Sequence, residues 1–240
     1  MKTIWTYSLS FICLLLFLNS TNKPLKIDDY SKKLYSQIDN LSLDYDIFHK
    51  SLTGYFHLLK NGKLKNSRYL SIVDMSLSAN KERYFLIDVK EKKLIAKTLI
   101  AHGKNTGNEF AKYFSNTVNS YQTSLGFYTT AETYDGGNGL SMRMDGLEYC
   151  NSKARVRDIV VHKADYVSYD FIKEHGRLGR SFGCPALPIS GYEKIISKIK
   201  NGSCFFIYYP DNKYLLQSKI LKKGKELMIT EEGFPSETSF

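Results

Sequence analysis

The sequence contains few cysteines and lacks the residue spacings that build common metal and phosphate sites. Its 240 residues include four cysteines and five histidines, with neither a CxxC nor an HExxH motif, which argues against a zinc site at His162, His175 or Cys184. No Lys-Ser or Lys-Thr pair follows the glycine-rich residues 135–139, so this run indicates a turn rather than a phosphate loop. The chain also lacks internal repeats and low-complexity segments, and its 42% hydrophobic content is ordinary for a globular domain.

Acidic side chains are in the minority. The chain has 24 Asp and Glu against 34 Lys and Arg, a net charge of +10, so it attracts polyanions. Residues 4–18 form a mostly apolar run of signal-peptide length, too short for a comfortable membrane span, and no small-x-small pattern follows Leu18. We expect residues 1–20 to be a signal peptide or short membrane anchor and the protein to be exported to the periplasm or cell envelope. Anionic cell-wall polymers, rather than nucleic acid, would then meet its basic surface, and only the N-terminal segment would contact the membrane.

The cysteine count points to one reactive thiol. Cys13 lies inside the apolar N-terminal run, which leaves Cys150, Cys184 and Cys204 in the exported chain. An odd number of cysteines in an oxidising compartment leaves one without a partner. Cys184 is the candidate because of its glycine-flanked setting, whereas Cys150 and Cys204 either pair or are plain buried thiols.

Secondary-structure signals divide the chain into a helical beginning and a strand-rich remainder. Residues 21–44 are polar and rich in Lys and Asp, which indicates a linker. Residues 45–66 form a helical lead-in, with apolar residues at three- and four-residue spacing up to Asn61. Residues 67–230 form the main domain and residues 231–240 a tail. Strand-like runs separated by turn signals lie at residues 69–74, 83–89, 94–101, 126–130, 141–148, 155–161 and 204–209.

One helix is predicted after the cysteine segment. Ser190 and Glu193 have the spacing of a capping box, and the apolar residues that follow recur at helical spacing until Gly202 ends the pattern. The predicted fold class is therefore mostly β (α+β), with an N-terminal helical segment and a helix after the cysteine loop.

Two side chains in the second half of the chain can form a nucleophile and its base. His162 directly follows a short apolar run that begins at Ile159, and Cys184 lies in a glycine-flanked turn. A cysteine nucleophile needs both parts, because the thiolate attacks and a neighbouring imidazole takes the thiol proton. Arg180 is expected to favour the thiolate, and the amides of Gly183 and Cys184 to point at a tetrahedral oxyanion. The alternative is an inert core thiol and a histidine that hydrogen-bonds a backbone carbonyl.

An ordered set of short motifs resembles one known family. The run from His162 to Cys184, ending RSFGCPA, is similar to the catalytic signature of L,D-transpeptidases, and most of all to the YkuD-like murein L,D-transpeptidase catalytic domain family. The likeness extends over residues 41–209. It includes the motifs LSIVD at 70–74, AHG at 101–103, SLGFY at 124–128, GLE at 146–148, VVH at 160–162 and GRLGRS at 176–181.

The resemblance implies a mostly-β YkuD-like catalytic fold that needs no metal and no organic cofactor. Cys184 would be the acylated nucleophile and His162 its base, while Gly183 would share the oxyanion hole with Cys184 and Ser181 would occupy the family's Ser/Thr position. The implied function is exported, cysteine-dependent L,D-transpeptidation of peptidoglycan stem peptides. Two alternatives stay open: an L,D-carboxypeptidase with the same site, and a non-catalytic cell-wall-binding module.

Four residues are expected to contact the substrate. Arg177 and Arg180 either hold a carboxylate of the donor stem, as planar guanidinium groups do well, or pin the long loop to the domain. His102 lies either in a loop or along a substrate groove. Tyr166 is one of 18 tyrosines, whose rings often line grooves for sugars or peptides.

The signature also departs from the family pattern. Phe182 replaces the histidine that usually precedes the Gly-Cys pair, and Lys163 replaces a glycine after the first histidine. The 22 positions from His162 to Cys184 exceed the commonest spacing, which predicts an extra loop over the site.

Overall fold

The computed structural model describes residues 23–236, so the predicted signal or anchor segment, residues 1–20, lies outside the described residues. The strands are β1 (Leu25–Lys26), β2 (Tyr69–Asp74), β3 (Tyr84–Asp88), β4 (Lys93–Thr98), β5 (Gly126–Gly136), β6 (Gly139–Gly146), β7 (Val160–Lys163), β8 (Ala186–Leu187), β9 (Cys204–Tyr208) and β10 (Met228–Ile229). The helices are α1 (Ile27–Gln37), α2 (Tyr45–Lys60), α3 (Tyr169–His175), α4 (Tyr192–Ile199), α5 (Asn212–Gln217) and α6 (Lys219–Gly224). None of these helices is long and apolar enough to cross a membrane.

Eight strands form one mixed sheet that contains most of the core. Their order is β4-β3-β2-β9-β5-β6-β7-β8, with β2 and β9 parallel. Every residue of β2, β3 and β9 is buried, as expected for strands with nearly continuous apolar runs. Two predicted hairpins, β3–β4 and β5–β6, are present, and residues 135–139 include the turn of the second. The predicted mostly β (α+β) fold is confirmed.

Helix α2 packs closely on this sheet. The Asp44 side chain caps it by accepting hydrogen bonds from the amides of Asp46 and Ile47. A Cβ at Gly54 would collide with the ring of Phe127 on β5, so the glycine lets helix and sheet approach each other. The predicted helix is confirmed.

Most of the segment predicted as a linker, residues 23–44, is instead part of the fold. Residues 21–44 contain β1 and α1, and Ile27, Tyr30 and Leu34 of α1 are buried. These residues recur at spacings of three and four, while the Lys and Asp residues between them are exposed. The polar composition therefore concealed a narrow apolar stripe. Strand β1 pairs with β10 and ties this segment to the end of the domain.

Two local predictions near the cysteine segment are wrong. Residues 151–158 form turns rather than the beginning of a strand, and β7 begins only at Val160. Asp158 has a φ of 51°, which interrupts extended backbone just before β7. Helix α4 has Gly191 at its N-cap, with a φ of 82° and no side-chain cap, so Ser190 forms no capping box.

The two edges of the large sheet meet beside β8. His162 of β7 pairs with Ala186 of β8, and Ala186 also pairs with Ala101 in the segment after β4. The Ala101 amide donates to the Ala186 carbonyl at 2.9 Å. The loop that begins at His102 and the turn that carries Cys184 therefore lie side by side at this edge.

Candidate active site

Hydrogen bonds within the turn hold Cys184 in place. The Ser181 hydroxyl accepts from the Gly183 amide at 3.0 Å and donates to the Cys184 carbonyl at 2.6 Å. Gly183 has a φ of 123°, a conformation that favours glycine. A Cβ at this position would also lie 3.0 Å from the carbonyl oxygen of Gln122. Ser181 therefore acts on the position of the cysteine through the turn.

The Cys184 thiol lies against the beginning of β7. The Val160 amide donates to Sγ at 3.5 Å, and Sγ is 3.5 Å from the carbonyl oxygen of Asp158. Burial raises the pKa of Cys184, and the Val160 amide and the Arg157 charge only partly oppose this rise. The thiol is therefore protonated at rest, and a nucleophilic role requires a base that takes its proton.

His162 lies two residues after Val160 on β7, and the main chain orients its ring. Nδ1 is 2.8 Å from the carbonyl oxygen of Lys163, which assigns the proton to Nδ1 and leaves Nε2 as the acceptor. Nε2 makes no hydrogen bond within the described residues and is not sealed from solvent. Burial lowers the pKa of His162. The ring is therefore neutral at pH 7 and presents a basic nitrogen.

The thiol and the imidazole lie along the same stretch of β7. Sγ of Cys184 contacts the backbone amide of Val160, two residues before His162, and His162 pairs with Ala186, two residues after Cys184. No hydrogen bond joins Sγ to the ring in the described part of the chain. Proton transfer therefore needs a rotation of the thiol or one bridging water, as is common before substrate binds.

Arg157, which the sequence did not single out, supplies the positive charge that acts on the thiol. Its guanidinium donates to the Ser115 carbonyl at 2.7 Å and to the Ser124 hydroxyl at 3.1 Å. It lies 3.3 Å from the place where a Cβ on Gly183 would stand. Arg157, rather than the expected Arg180, is thus the arginine whose charge opposes the rise in the pKa of Cys184. Arg157 was missed because its segment was taken for a strand.

Arg180 and Arg177 form hydrogen bonds to the protein backbone. Arg180 Nη1 donates at 3.2 Å to the carbonyl oxygens of both Lys104 and Gly107. Arg177 Nη1 donates to the carbonyl of the next residue at 2.9 Å. These contacts favour the alternative in which the two arginines pin the loop rather than hold a substrate carboxylate.

His102 is buried and fully hydrogen-bonded. Its Nδ1 accepts from Nη2 of Arg83 at 2.8 Å, and its Nε2 is 3.3 Å from the carbonyl oxygen of Gly107. Burial, followed by the Arg83 charge, lowers the pKa of His102 to about 3. The predicted substrate contact is therefore wrong, because no ring nitrogen is left for a ligand.

The amides available to an oxyanion differ from those predicted. The Gly183 amide donates to the Ser181 hydroxyl, so it is not free to stabilise an oxyanion. The amides of Cys184 and Phe182 make no hydrogen bond within residues 23–236. The Cys184 amide is therefore the member of the predicted pair that remains available.

Tyr166 is the predicted substrate contact that lies within electrostatic range of the thiol. Its ring packs against Gly179, where a Cβ would collide with the tyrosine side chain. Burial, followed by the charge of the Cys184 thiolate, raises the pKa of Tyr166 to about 12. The hydroxyl has no hydrogen-bond partner among the described residues.

An exposed aromatic pair with a lysine lies next to the cysteine turn. Phe182 is 68% exposed, and its ring centroid is 5.1 Å from that of Tyr121. The Nζ of Lys104 is 4.3 Å from the Tyr121 centroid and 4.5 Å from the Phe182 centroid. Sequence reasoning missed Lys104 and Tyr121 because no motif contains both and only the fold brings them together.

Three other residues were singled out from the sequence: Lys163, Cys150 and Cys204. The Nζ of Lys163 lies 5.4 Å from the centroid of the Tyr192 ring, while the Lys163 backbone carbonyl is the hydrogen-bond partner of His162. Cys150 and Cys204 are free thiols, and burial raises the pKa of each. Within the described range, no group of three His, Cys, Asp or Glu side chains could hold a metal ion.

Comparison with known proteins finds a matching family model and several similar solved structures. A family model for the L,D-transpeptidase catalytic domain matches residues 39–208. No curated protein matches the sequence significantly. Similar solved structures include an L,D-transpeptidase from Mycobacterium smegmatis, 12% identical with a TM-score of 0.37, which aligns over 59% of each chain. Bd1075 from Bdellovibrio bacteriovorus is 15% identical with a TM-score of 0.39, over 66% of this chain and 53% of that one. An L,D-transpeptidase from Stackebrandtia nassauensis is 12% identical with a TM-score of 0.36, over 80% and 94%. This chain thus spans little more than half the length of the first two structures.

Proposed function

This chain belongs to the L,D-transpeptidase catalytic domain family, and we propose that it is an exported, cysteine-dependent acyltransferase acting on peptidoglycan stem peptides. The arrangement at β7 is the observation that supports this function. The Cys184 thiol contacts the first residue of the strand, and His162, with an open Nε2, follows two residues later. A neutral thiol beside a neutral imidazole becomes a nucleophile when the imidazole takes its proton.

In the first half-reaction, Nε2 of His162 takes the thiol proton as Sγ of Cys184 attacks the donor. The attacked carbonyl joins an L-configured to a D-configured centre of the stem peptide. A C–S bond forms, the C–N bond breaks, and the proton moves from His162 to the departing amino group. The carbonyl of Lys163 stabilises the transient imidazolium through Nδ1–H, and the Cys184 amide donates to the oxyanion.

In the second half-reaction, an amine from a neighbouring stem attacks the thioester. His162 takes a proton from the amine, the C–S bond breaks, and the thiolate recovers a proton from His162. The product is an amide cross-link. Water in place of the amine gives a carboxylate, which is the carboxypeptidase outcome. Product analysis separates the two, since both use the same protein residues.

Export is part of the proposal. Residues 1–20 have the charge and apolar pattern of a signal peptide, and stem peptides in the wall lie outside the cytoplasmic membrane. The net charge of +10 also suits a surface that meets anionic wall polymers. Fractionation of tagged protein tests this step: recovery in the periplasm or envelope is expected, and recovery in the cytosol with Met1 retained would contradict it.

Intact-mass analysis with a carbapenem tests the chemistry. A strained β-lactam acylates an activated thiol without an acceptor, so the protein should gain the mass of one intact drug molecule. We expect this adduct on the wild type and on Cys150→Ala, and none on Cys184→Ala. A tetrapeptide stem with an acceptor stem should then yield a cross-linked dimer. Absence of an adduct on the wild type, or an adduct on Cys184→Ala, would refute the assignment.

A further inference from the structure

Lys104 is held between two aromatic rings at the cysteine turn. Its ammonium lies 4.3 Å from the Tyr121 ring centroid and 4.5 Å from the Phe182 centroid. Cation–π attraction of this kind fixes a flexible lysine in one place without neutralising its charge. Lys104 and Phe182 are both exposed, so a ligand in solvent can reach them.

The Lys104 charge has no acidic partner. Within residues 23–236, no carboxylate lies within salt-bridge distance of its Nζ. Glu109, which lines the same surface pocket as Lys104, accepts a hydrogen bond from the Ser78 hydroxyl. An ammonium that makes only cation–π contacts keeps its hydrogen-bond donors free. Its unpaired charge favours an anionic ligand.

Backbone contacts fix this lysine relative to the nucleophile. The Lys104 amide donates to the Ser181 carbonyl at 2.8 Å, and Ser181 in turn holds the carbonyl of Cys184. The preceding residue, Gly103, packs so tightly that a Cβ there would lie 2.9 Å from the Cα of Gly183. The aromatic pair and the cation thus belong to the same rigid unit as the cysteine turn.

We propose that Lys104, Tyr121 and Phe182 form a subsite that binds the terminal carboxylate of the donor peptide. This inference rests on the proposed function, because it assigns a place to the residue that leaves. That carboxylate lies one residue beyond the attacked carbonyl, about 3.5 Å of extended chain, and Phe182 is two residues from Cys184. The exposed Phe182 ring provides an apolar surface for the small side chain beside the carboxylate. Arg177 and Arg180 are less suited, since both bond to the backbone.

Equilibrium binding separates this inference from the catalytic proposal. In a Cys184→Ala background, which cannot form a thioester, calorimetry would compare a stem tetrapeptide with a free C-terminal acid and the same peptide with a C-terminal amide. Lys104→Met should weaken binding of the acid about tenfold, as expected for loss of a charge-assisted hydrogen bond. It should change binding of the amide by less than about twofold, because the amide lacks the recognised charge.

Two further variants control for net charge and packing. Lys198→Met removes the same charge from a lysine whose Nζ lies 5.6 Å from the Tyr69 ring centroid, and it should leave both affinities unchanged. Lys104→Arg should retain most of the preference for the acid, because the charge stays between the rings. Phe182→Ala should weaken binding of both peptides, since it removes apolar surface rather than charge.

Each outcome decides the assignment. Equal effects of Lys104→Met on the acid and the amide, no effect on either, or no binding of either peptide would overturn the subsite. These results do not depend on turnover. A wild-type protein that shows the Lys104-dependent preference but forms no carbapenem adduct would refute the catalytic proposal and leave the subsite standing.

Discussion

His102 and His162 lie on either side of Ala186 and differ in how many ring nitrogens the fold uses. Both nitrogens of His102 contact protein partners, Arg83 and Gly107. In His162 only Nδ1 is bonded, and Nε2 remains open. Both histidines follow apolar segments near the same sheet edge, so their sequence surroundings are alike. The unbonded ring nitrogen of His162 suits it to catalysis, whereas His102, with both nitrogens bonded, has a structural role.

The arginines near the two histidines repeat this contrast. Arg83 is buried, and its Nη2 donates to the carbonyl of Ile100 at 3.0 Å as well as to His102. Arg157 is only partly buried, and its charge acts on the thiol of Cys184. Similar residue types thus form two different regions. In the closed region around His102 the polar side-chain atoms are hydrogen-bonded within the protein, and in the open region around His162 a basic nitrogen is left unbonded. Substitutions in each region should have separable consequences.

Removal of the nucleophile should have the largest effect. Cys184→Ala should abolish both carbapenem acylation and cross-linking, because no thioester can form. The free energy of unfolding should change by about 1 kcal/mol or less, since the substitution is small. Intact mass and product chromatography measure the first effect, and urea unfolding measures the second.

Cys150→Ala is the matched control, because burial raises the pKa of that thiol and its Sγ donates to the Leu125 carbonyl at 3.2 Å. It should acylate at the wild-type rate. Turnover that survives in Cys184→Ala and disappears in Cys150→Ala would show that Cys150 is the nucleophile. It would contradict the assignment of catalysis to the region around His162.

Replacement of the open histidine should have the next largest effect. His162→Gln should lower the acylation rate at pH 7 by about 10²- to 10⁴-fold, the usual contribution of a general base. In the wild type, the rate should fall at acid pH with a midpoint below 6.5, because burial lowers the pKa of His162. The variant should lose this limb and react only at alkaline pH, where the thiol ionises unaided. Stopped-flow acylation across pH measures both.

His175→Gln provides the control, since His175 is exposed at the end of α3. Its rate and pH profile should match those of the wild type. Wild-type acylation by His162→Gln at neutral pH would show that another base acts and would remove the distinction drawn between the two histidines.

Loss of Arg157 should have a moderate effect. Arg157→Met removes a positive charge that lowers the pKa of Cys184, so the pH midpoint for alkylation of the thiol should rise and acylation should slow about tenfold. Thermal stability should also fall, because the guanidinium holds the Ser115 carbonyl and the Ser124 hydroxyl. Arg157→Lys should restore the alkylation midpoint more than the stability.

Arg155→Met is the matched control, because Arg155 pairs with Glu132 and Asp145 in an exposed network. It should leave the alkylation midpoint unchanged. An unchanged midpoint in Arg157→Met would mean that Arg157 serves only to hold the loop.

Local patterns made much of the fold and part of the site predictable. Strands β2 and β9 and helix α2 follow from continuous or periodic apolar residues, and His162 and Cys184 stood out through ordered motifs. Helix α1 was missed because its apolar stripe is only three residues wide in a polar segment. The roles of Tyr121 and Lys104 could not be predicted from the sequence, since they depend on loops that meet only in the folded chain.

The same limit applies to hydrogen bonding. Gly183 was expected to offer its amide to an oxyanion, but the Ser181 hydroxyl takes it. His102 and His162 could not be ranked from sequence, because residue type does not reveal which polar atoms the fold satisfies. A side chain's role at this edge depends on partners distant in sequence.

The smallest predicted effect on activity concerns His102, whose contribution appears in stability instead. His102 has a pKa of about 3 in the folded chain and an ordinary value of 6.5, so its contribution to stability is complete above pH 6.5. As pH falls below 6.5, the unfolded chain binds a proton that the folded chain does not, and stability falls towards pH 3. Between pH 6.5 and 5 this costs about 2 kcal/mol.

His102→Gln tests this directly, because a glutamine amide accepts from Arg83 and donates to the Gly107 carbonyl without titrating. The variant should lose less unfolding free energy than the wild type between pH 7 and pH 5, as measured by urea unfolding, while carbapenem acylation at pH 7 stays near the wild-type rate. His175→Gln should keep the wild-type pH dependence. Equal losses in His102→Gln and the wild type would mean that His102 titrates normally and that the region around it is as open as the region around His162.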